Sequence, residues 1–137
     1  MIAQASVPGP SARLLLDTHV WLWWQADDRR LSKTARAAIM GAAEVYVSAA
    51  SAWEMAIKTA LGKLDAPDDV AGAVDAGGFS ELPVHFRHIA ALCILPAHHR
   101  DPFDRLLLAQ AYVDDLTFVT ADPTLPQYGI PYLWAGR

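Results

Sequence analysis

The chain has 137 residues, 53 % of them hydrophobic and 19 % charged, with no low-complexity tract. This composition suits one folded domain with one sizeable core and excludes a disordered chain. A net charge of −4 with no basic run excludes a strong electrostatic binder of nucleic acid, so a polyanionic substrate would be held locally, with help from a metal.

No apolar stretch is long enough to span a bilayer, and MIAQASVPGPSA lacks the basic start and apolar block of a secretory signal. The cytoplasm is the expected location. Residues 1–12 read as a flexible leader, 13–17 as a strand and 19–26 as a helix. A helix over 32–42 follows a Leu-Ser start signal, and VYVS at 45–48 is a strand. The helix carrying Glu54 stops at Gly62, and a helix over 67–76 ends at Gly77 and Gly78. SELPV is a short strand, 85–95 a helix, 101–115 another, and TFVT and PYLW are the last strands. Cys93, in the apolar pattern HIAALCIL, has no partner for an internal disulfide and reads as a core filler. Alternating short buried strands and helices specify an α/β fold, with a mostly parallel central sheet of five strands flanked by helices.

Four acids fall where an apolar run passes into its next element. Asp17 ends LLLD, Asp122 ends FVTAD, and Glu54 and Asp104 lie in the first turns of SAASAWEMAIKTAL and RDPFDRLLLAQAYV. In an open parallel sheet the strand carboxyl ends and the following helix starts share one rim, where ligands bind. Each acid also has a local reading. Ser51 and Glu54 have the spacing of a capping box; Asp101 precedes Pro102 as an N-cap, and Asp104 suits a helix dipole. Asp17 and Asp122 can cap as well. Convergence needs more than caps, because two carboxylates about 5 Å apart repel by about 3 kcal/mol at an effective dielectric near 20. Hard oxygen ligands favour Mg²⁺ or Mn²⁺ over zinc, and Mg²⁺ keeps waters and binds substrate phosphate. Hydrolysis of a phosphodiester by activated water is the chemistry to expect.

Other side chains near the acids invite competing readings. His98 and His99 beside Asp101, or His85 and His88 at i, i+3 spacing, suggest zinc, but no cysteine or fourth spaced ligand completes a site. Lys58, Arg100 and Arg105 are either hands for substrate phosphates or solvated helix charges. An aspartyl-phosphate phosphatase would need a second acid at position 19, which is histidine. A receiver-type domain would need an early acidic pair and a late lysine, and neither is present.

LLLDTHVWLWW, SAASAWEMAIK, HHRDPFDRLLLAQA and FVTADPTL, in this order and at these separations, resemble the PIN-domain ribonucleases, in particular the VapC-like toxins of type II toxin–antitoxin pairs. The similarity runs from Arg13 to the last strand, so residues 13–137 form the implied PIN domain. It implies Mg²⁺-dependent RNA cleavage, inhibition by a small cognate antitoxin, and a homodimer. The family's acids correspond to Asp17, Glu54, Asp104 and Asp122, with supporting hydroxyls at Thr18 and Thr120. Asp17 and Asp104 are the implied principal metal ligands; Asp122 would hold a second ion or orient water, and Glu54 would assist water deprotonation or second-metal binding. A PIN-like module that binds RNA or a partner without cutting is the alternative. The segment Val20-Trp21-Leu22-Trp23-Trp24 is apolar around its whole helical circumference, so it must be covered on two sides. Either its own domain covers it, or Trp21, Trp23 and Trp24 line a groove for an antitoxin helix.

Overall fold

In the computed structural model, which describes residues 8–96 and 101–137, the centre of the fold is β1 (Arg13–Leu16). It pairs in parallel with β2 (Glu44–Ser48) on one edge and β4 (Thr117–Thr120) on the other. Short β3 (Ser80–Leu82) extends the sheet beyond β2, and β5 (Tyr132–Trp134) beyond β4, both also parallel. The order is β3-β2-β1-β4-β5. A central parallel strand is covered on both faces and therefore reads as a continuous apolar run. Leu14, Leu15 and Leu16 are each 0 % exposed. Leu14 and Leu16 pack into one half of the core with Val20, Trp21 and Val119, and Leu15 into the other with Leu107, Leu108 and Phe118.

The helices are α1 (Thr18–Gln25), α2 (Lys33–Gly41), α3 (Ala49–Ala60), α4 (Val70–Ala76), α5 (Phe86–Leu92) and α6 (Pro102–Val113). Their start signals differ in part from expectation. Ser48, not Ser51, caps α3 by accepting from the Ala50 amide, because β2 runs straight into this helix without a loop. The expected Ser51–Glu54 capping box is therefore absent. Helix α4 begins at Val70 under an Asp69 cap rather than at Pro67. Asp101 caps α6 as expected, accepting from the Phe103 and Asp104 amides. Helix α5 ends at Leu92, three residues early, which puts Cys93 at its exposed end instead of in the core. Of the expected leader, residues 1–7 lie outside the described residues, and the Ala12 carbonyl accepts from the Ala43 and Glu44 amides.

The tryptophan-rich α1 is covered largely by its own domain. Trp21 is 0 % exposed in the core and is therefore closed to any partner, correcting its place in the expected groove. Trp23 and Trp24 are half-buried; Trp24 tilts against Phe79 at 5.4 Å, and the Arg30 and Arg36 guanidinium groups lie over Trp23 and Trp24. Among the described residues no helix is long and apolar enough to cross a membrane.

Trp21→Ala is expected to cost about 3–5 kcal/mol of stability, as for large-to-small changes in packed cores. Trp53→Ala, at a side chain 61 % exposed, should stay within about 0.5 kcal/mol. Urea unfolding of both variants checks the contrast.

Candidate active site

The strand order makes β1 and β4 neighbours although the chain first builds outward through β2 and β3, so a crevice opens beyond their carboxyl ends. Asp17 follows β1 directly, its amide donating to the Val119 carbonyl of β4. Asp122 lies two residues beyond β4. Helix α3 leaves β2 at the same rim and carries Glu54, while α6 begins there and carries Asp104 in its first turn. All four acids line one pocket of about 210 Å³, together with His19, Val20, Trp23, Lys58, Asp101 and Ala121. A larger cavity of about 450 Å³, with mainly apolar walls between α3, α4 and β3, contains none of the four.

Each acid is held differently. Asp17 is 6 % exposed, and its Oδ2 accepts the Thr120 hydroxyl at 2.9 Å. Thr120 Oγ1 in turn accepts from the Asp122 amide at 3.0 Å, tying the ends of β1 and β4 together. Asp122 Oδ1 accepts from the Thr124 amide and hydroxyl, so this acid does shape a local turn. Glu54 is 2 % exposed; its Oε2 meets Lys58 Nζ at 2.6 Å, and its Oε1 is buried with no hydrogen-bond partner.

Burial pushes the Asp104 carboxyl up to about 8, reinforced by the negative fields of Asp17, Asp101, Glu54 and Asp122. Burial likewise raises Asp17 to about 6, against the Thr120 hydrogen bond and the nearby His19. The pocket thus retains protons because its negative charges are crowded and poorly hydrated. A divalent cation satisfies the same deficit. The donor set is all oxygen, which fits Mg²⁺ or Mn²⁺. Among the described residues no three His, Cys, Asp or Glu side chains form a ready metal cage; Mg²⁺ ordinarily takes only one or two carboxylates and fills its shell with water and phosphate.

The remaining expected residues separate by geometry. Thr120 does orient a carboxylate. The Thr18 hydroxyl instead donates to Ser51 Oγ at 2.8 Å, bracing α1 against α3, because both side chains are buried between these helices. Arg105 donates to the Leu92 and Leu95 carbonyls and so braces the end of α5 rather than reaching for phosphate. His88 is buried, its Nδ1 accepting from the His85 amide and its Nε2 2.9 Å from Asp114, which commits both ring nitrogens and removes the zinc reading of this pair. His98, His99 and Arg100 lie outside the described residues. His19 and Trp23 as pocket walls were not singled out from sequence as neighbours of the acids, although their closeness to Asp17 on α1 was a usable signal.

This fold and this rim of acids define a PIN domain: the PIN domain family matches residues 14–131, and the chain belongs to it. Within the family it is similar to Ribonuclease VapC22 of Mycobacterium tuberculosis (strain ATCC 25618 / H37Rv), 34 % identical over 125 residues that cover 86 % of this chain and 93 % of that protein. Solved structures with the same fold include VapBC2 from Rickettsia felis bound to a DNA fragment from their promoter, with a TM-score of 0.66 at 10 % identity over 88 % of this chain and 98 % of that one. DNA-bound VapBC from Salmonella typhimurium superposes with a TM-score of 0.65 at 14 % identity, over 88 % and 96 % of the two chains.

In the folded chain Asp17 and Asp104 keep their protons to higher pH than in the unfolded chain, where an Asp titrates near 3.9. As pH rises from about 4 towards 8, the unfolded state therefore binds fewer protons than the folded one, and stability falls. Thermal unfolding of metal-free protein should show the melting temperature dropping from pH 5 to pH 8. Millimolar Mg²⁺ should restore it at pH 8, and Asp104→Asn should flatten the slope. A melting temperature that rises over this range in the absence of metal contradicts the crowding described here.

Proposed function

We propose that the chain is a divalent-metal-dependent endoribonuclease, the toxin of a type II toxin–antitoxin pair, which hydrolyses RNA phosphodiester bonds in the cytoplasm. The observation that carries this reading is the convergence of Asp17, Glu54, Asp104 and Asp122 on one pocket, where burial, reinforced by the neighbouring acids, raises the carboxyls of Asp17 and Asp104. Its support from relatives is that one is named a ribonuclease and that a solved neighbour from Klebsiella pneumoniae, with a TM-score of 0.60, is a toxin–antitoxin complex.

Asp17 and Asp104 would hold Mg²⁺, or Mn²⁺ in its place, with Asp122 as a further ligand or water-orienting group. When bound, the ion supplies Lewis acidity at a phosphate oxygen and lowers the pKa of water. Thr120 keeps Asp17 in register through its hydroxyl. Glu54, at the inner wall, would accept the proton of the attacking water as the water oxygen bonds to phosphorus, and the bridging P–O bond would break with the leaving ribose oxygen taking a proton from solvent. The negative pocket repels RNA until a cation is present, which makes the metal a condition for substrate binding as well as for chemistry.

The antitoxin is proposed to dock along the outer side of α1 beside Trp24. Trp23 belongs to the wall of the acid pocket, so an antitoxin segment reaching it also covers the catalytic groups. A homodimer is the proposed working unit, because Trp53, Ile57 and Leu61 are exposed at i, i+4 and i+8 spacing along α3 and its end.

Asp17→Asn and Asp104→Asn should each remain folded and abolish Mg²⁺-dependent cleavage of total RNA, to the level that EDTA produces in the wild type. Near wild-type cutting by either variant would sink the site assignment. EDTA-insensitive inactivity of the wild type would favour a non-catalytic RNA- or partner-binding module. Induced expression in a bacterial host should slow growth for the wild type and not for the two variants.

Trp24→Ala should weaken antitoxin binding by about 2 kcal/mol or more, as truncated aromatic anchors do, while RNA cleavage survives. Calorimetric titration with the antitoxin, beside a cleavage assay, measures both. Unchanged affinity in a folded Trp24→Ala variant rules out this face of α1.

A further inference from the structure

Glu54 and Lys58 stand one turn apart on α3, an ordinary spacing for a helical ion pair. Their surroundings are not ordinary. Glu54 is almost wholly buried, with Oε2 2.6 Å from Lys58 Nζ and Oε1 buried without a hydrogen-bond partner. Lys58, one-third exposed, lines the acid pocket itself, close enough to Asp101 and Asp104 for both to act on it through space. A buried carboxylate with an unsatisfied oxygen is costly to maintain. The compensating positive charge here comes from the protein, tethered to the same helix.

Resting on the metal-dependent reading above, we infer that the Lys58 ammonium takes the place at Glu54 that a second divalent cation would fill, so that the pocket binds a single Mg²⁺ on its Asp17 and Asp104 side. Two-metal sites hold their ions about 3.5–4 Å apart to clamp both the attacking and leaving oxygens. A divalent ion brought against Glu54 would have to share that carboxylate with an ammonium already in contact with it. At equal distance the repulsion between the divalent ion and the ammonium cancels that ion's attraction to the Glu54 carboxylate, so a second ion gains nothing there. The lysine therefore keeps the second place closed. It also stands within the pocket as a positioning residue, fixing the Glu54 carboxyl through their 2.6 Å contact.

Mn²⁺ titration of the metal-free full chain, followed by electron paramagnetic resonance, tests this. Wild type and Lys58→Arg should bind one Mn²⁺ per chain with an uncoupled six-line spectrum. Lys58→Met should bind two, and the second should produce a spin-coupled spectrum. Two ions in the wild type, or only one in a Lys58→Met variant folded by circular dichroism, overturn the inference. Should Lys58→Met not fold, the Hill slope of wild-type cleavage against Mn²⁺ decides: one sustains the inference and two overturns it. A wild-type chain that binds no Mn²⁺ overturns the metal-dependent reading itself, an outcome distinct from binding two.

Discussion

Because β1 is bonded to β2 on one edge and to β4 on the other, and is buried on both faces, the residue that follows it emerges at the rim with almost no freedom of position. That residue is Asp17. Its amide is held by the Val119 carbonyl and its carboxylate by the Thr120 hydroxyl, both from β4. A carboxylate anchored this firmly in a nearly dry position sets the electrostatics of everything around it. The other acids must approach a fixed negative charge. Burial, reinforced by the field of Asp17, raises the Asp104 carboxyl.

The fold offsets the crowding with local devices. Asp101 spends its charge on the amides that open α6, where the helix dipole favours it. Asp122 bonds to Thr124, and Glu54 leans on Lys58. None of these removes the net negative charge of the pocket, which disfavours a polyanion in the absence of a cation. Stability and the proposed function therefore pull against each other here, as they commonly do at sites built for charge.

Helix α1 joins the core to the site. Trp21 fills the interior, Trp23 walls the acid pocket, and Trp24 packs on Phe79 under Arg36. Three neighbouring tryptophans point in three directions, since successive helical residues are separated by about a third of a turn. This explains a helix that is apolar all round although only part of it is core. It also means that a partner covering the outer side of α1 would lie against the pocket wall.

Much was legible in the chain before folding. The period of the apolar runs, the punctuation at Gly62, Gly77 and Pro102, and the Asp101 cap, all local signals, were sufficient for the α/β class and for every strand and α-helix to within a few residues, though not for the 3-10 turn over Leu125–Tyr128. The placing of acids at element boundaries was readable too, and with a parallel sheet it puts them on one rim. Side-chain partners were not readable. Ser51 looks like a cap for Glu54 but answers Thr18 from another helix; Arg105 looks like a hand for phosphate but holds the end of α5; Cys93 looks like core but falls beyond a helix end; Trp21, Trp23 and Trp24 are alike in sequence and differ in burial. Sequence by itself determined which residues begin and end each element, since capping, periodicity and turn chemistry act over three or four positions. Only the tertiary structure decided which polar groups meet and which aromatic faces stay open, because partners such as Asp17 and Thr120, 103 positions apart, are brought together by the sheet and by no property of either segment alone.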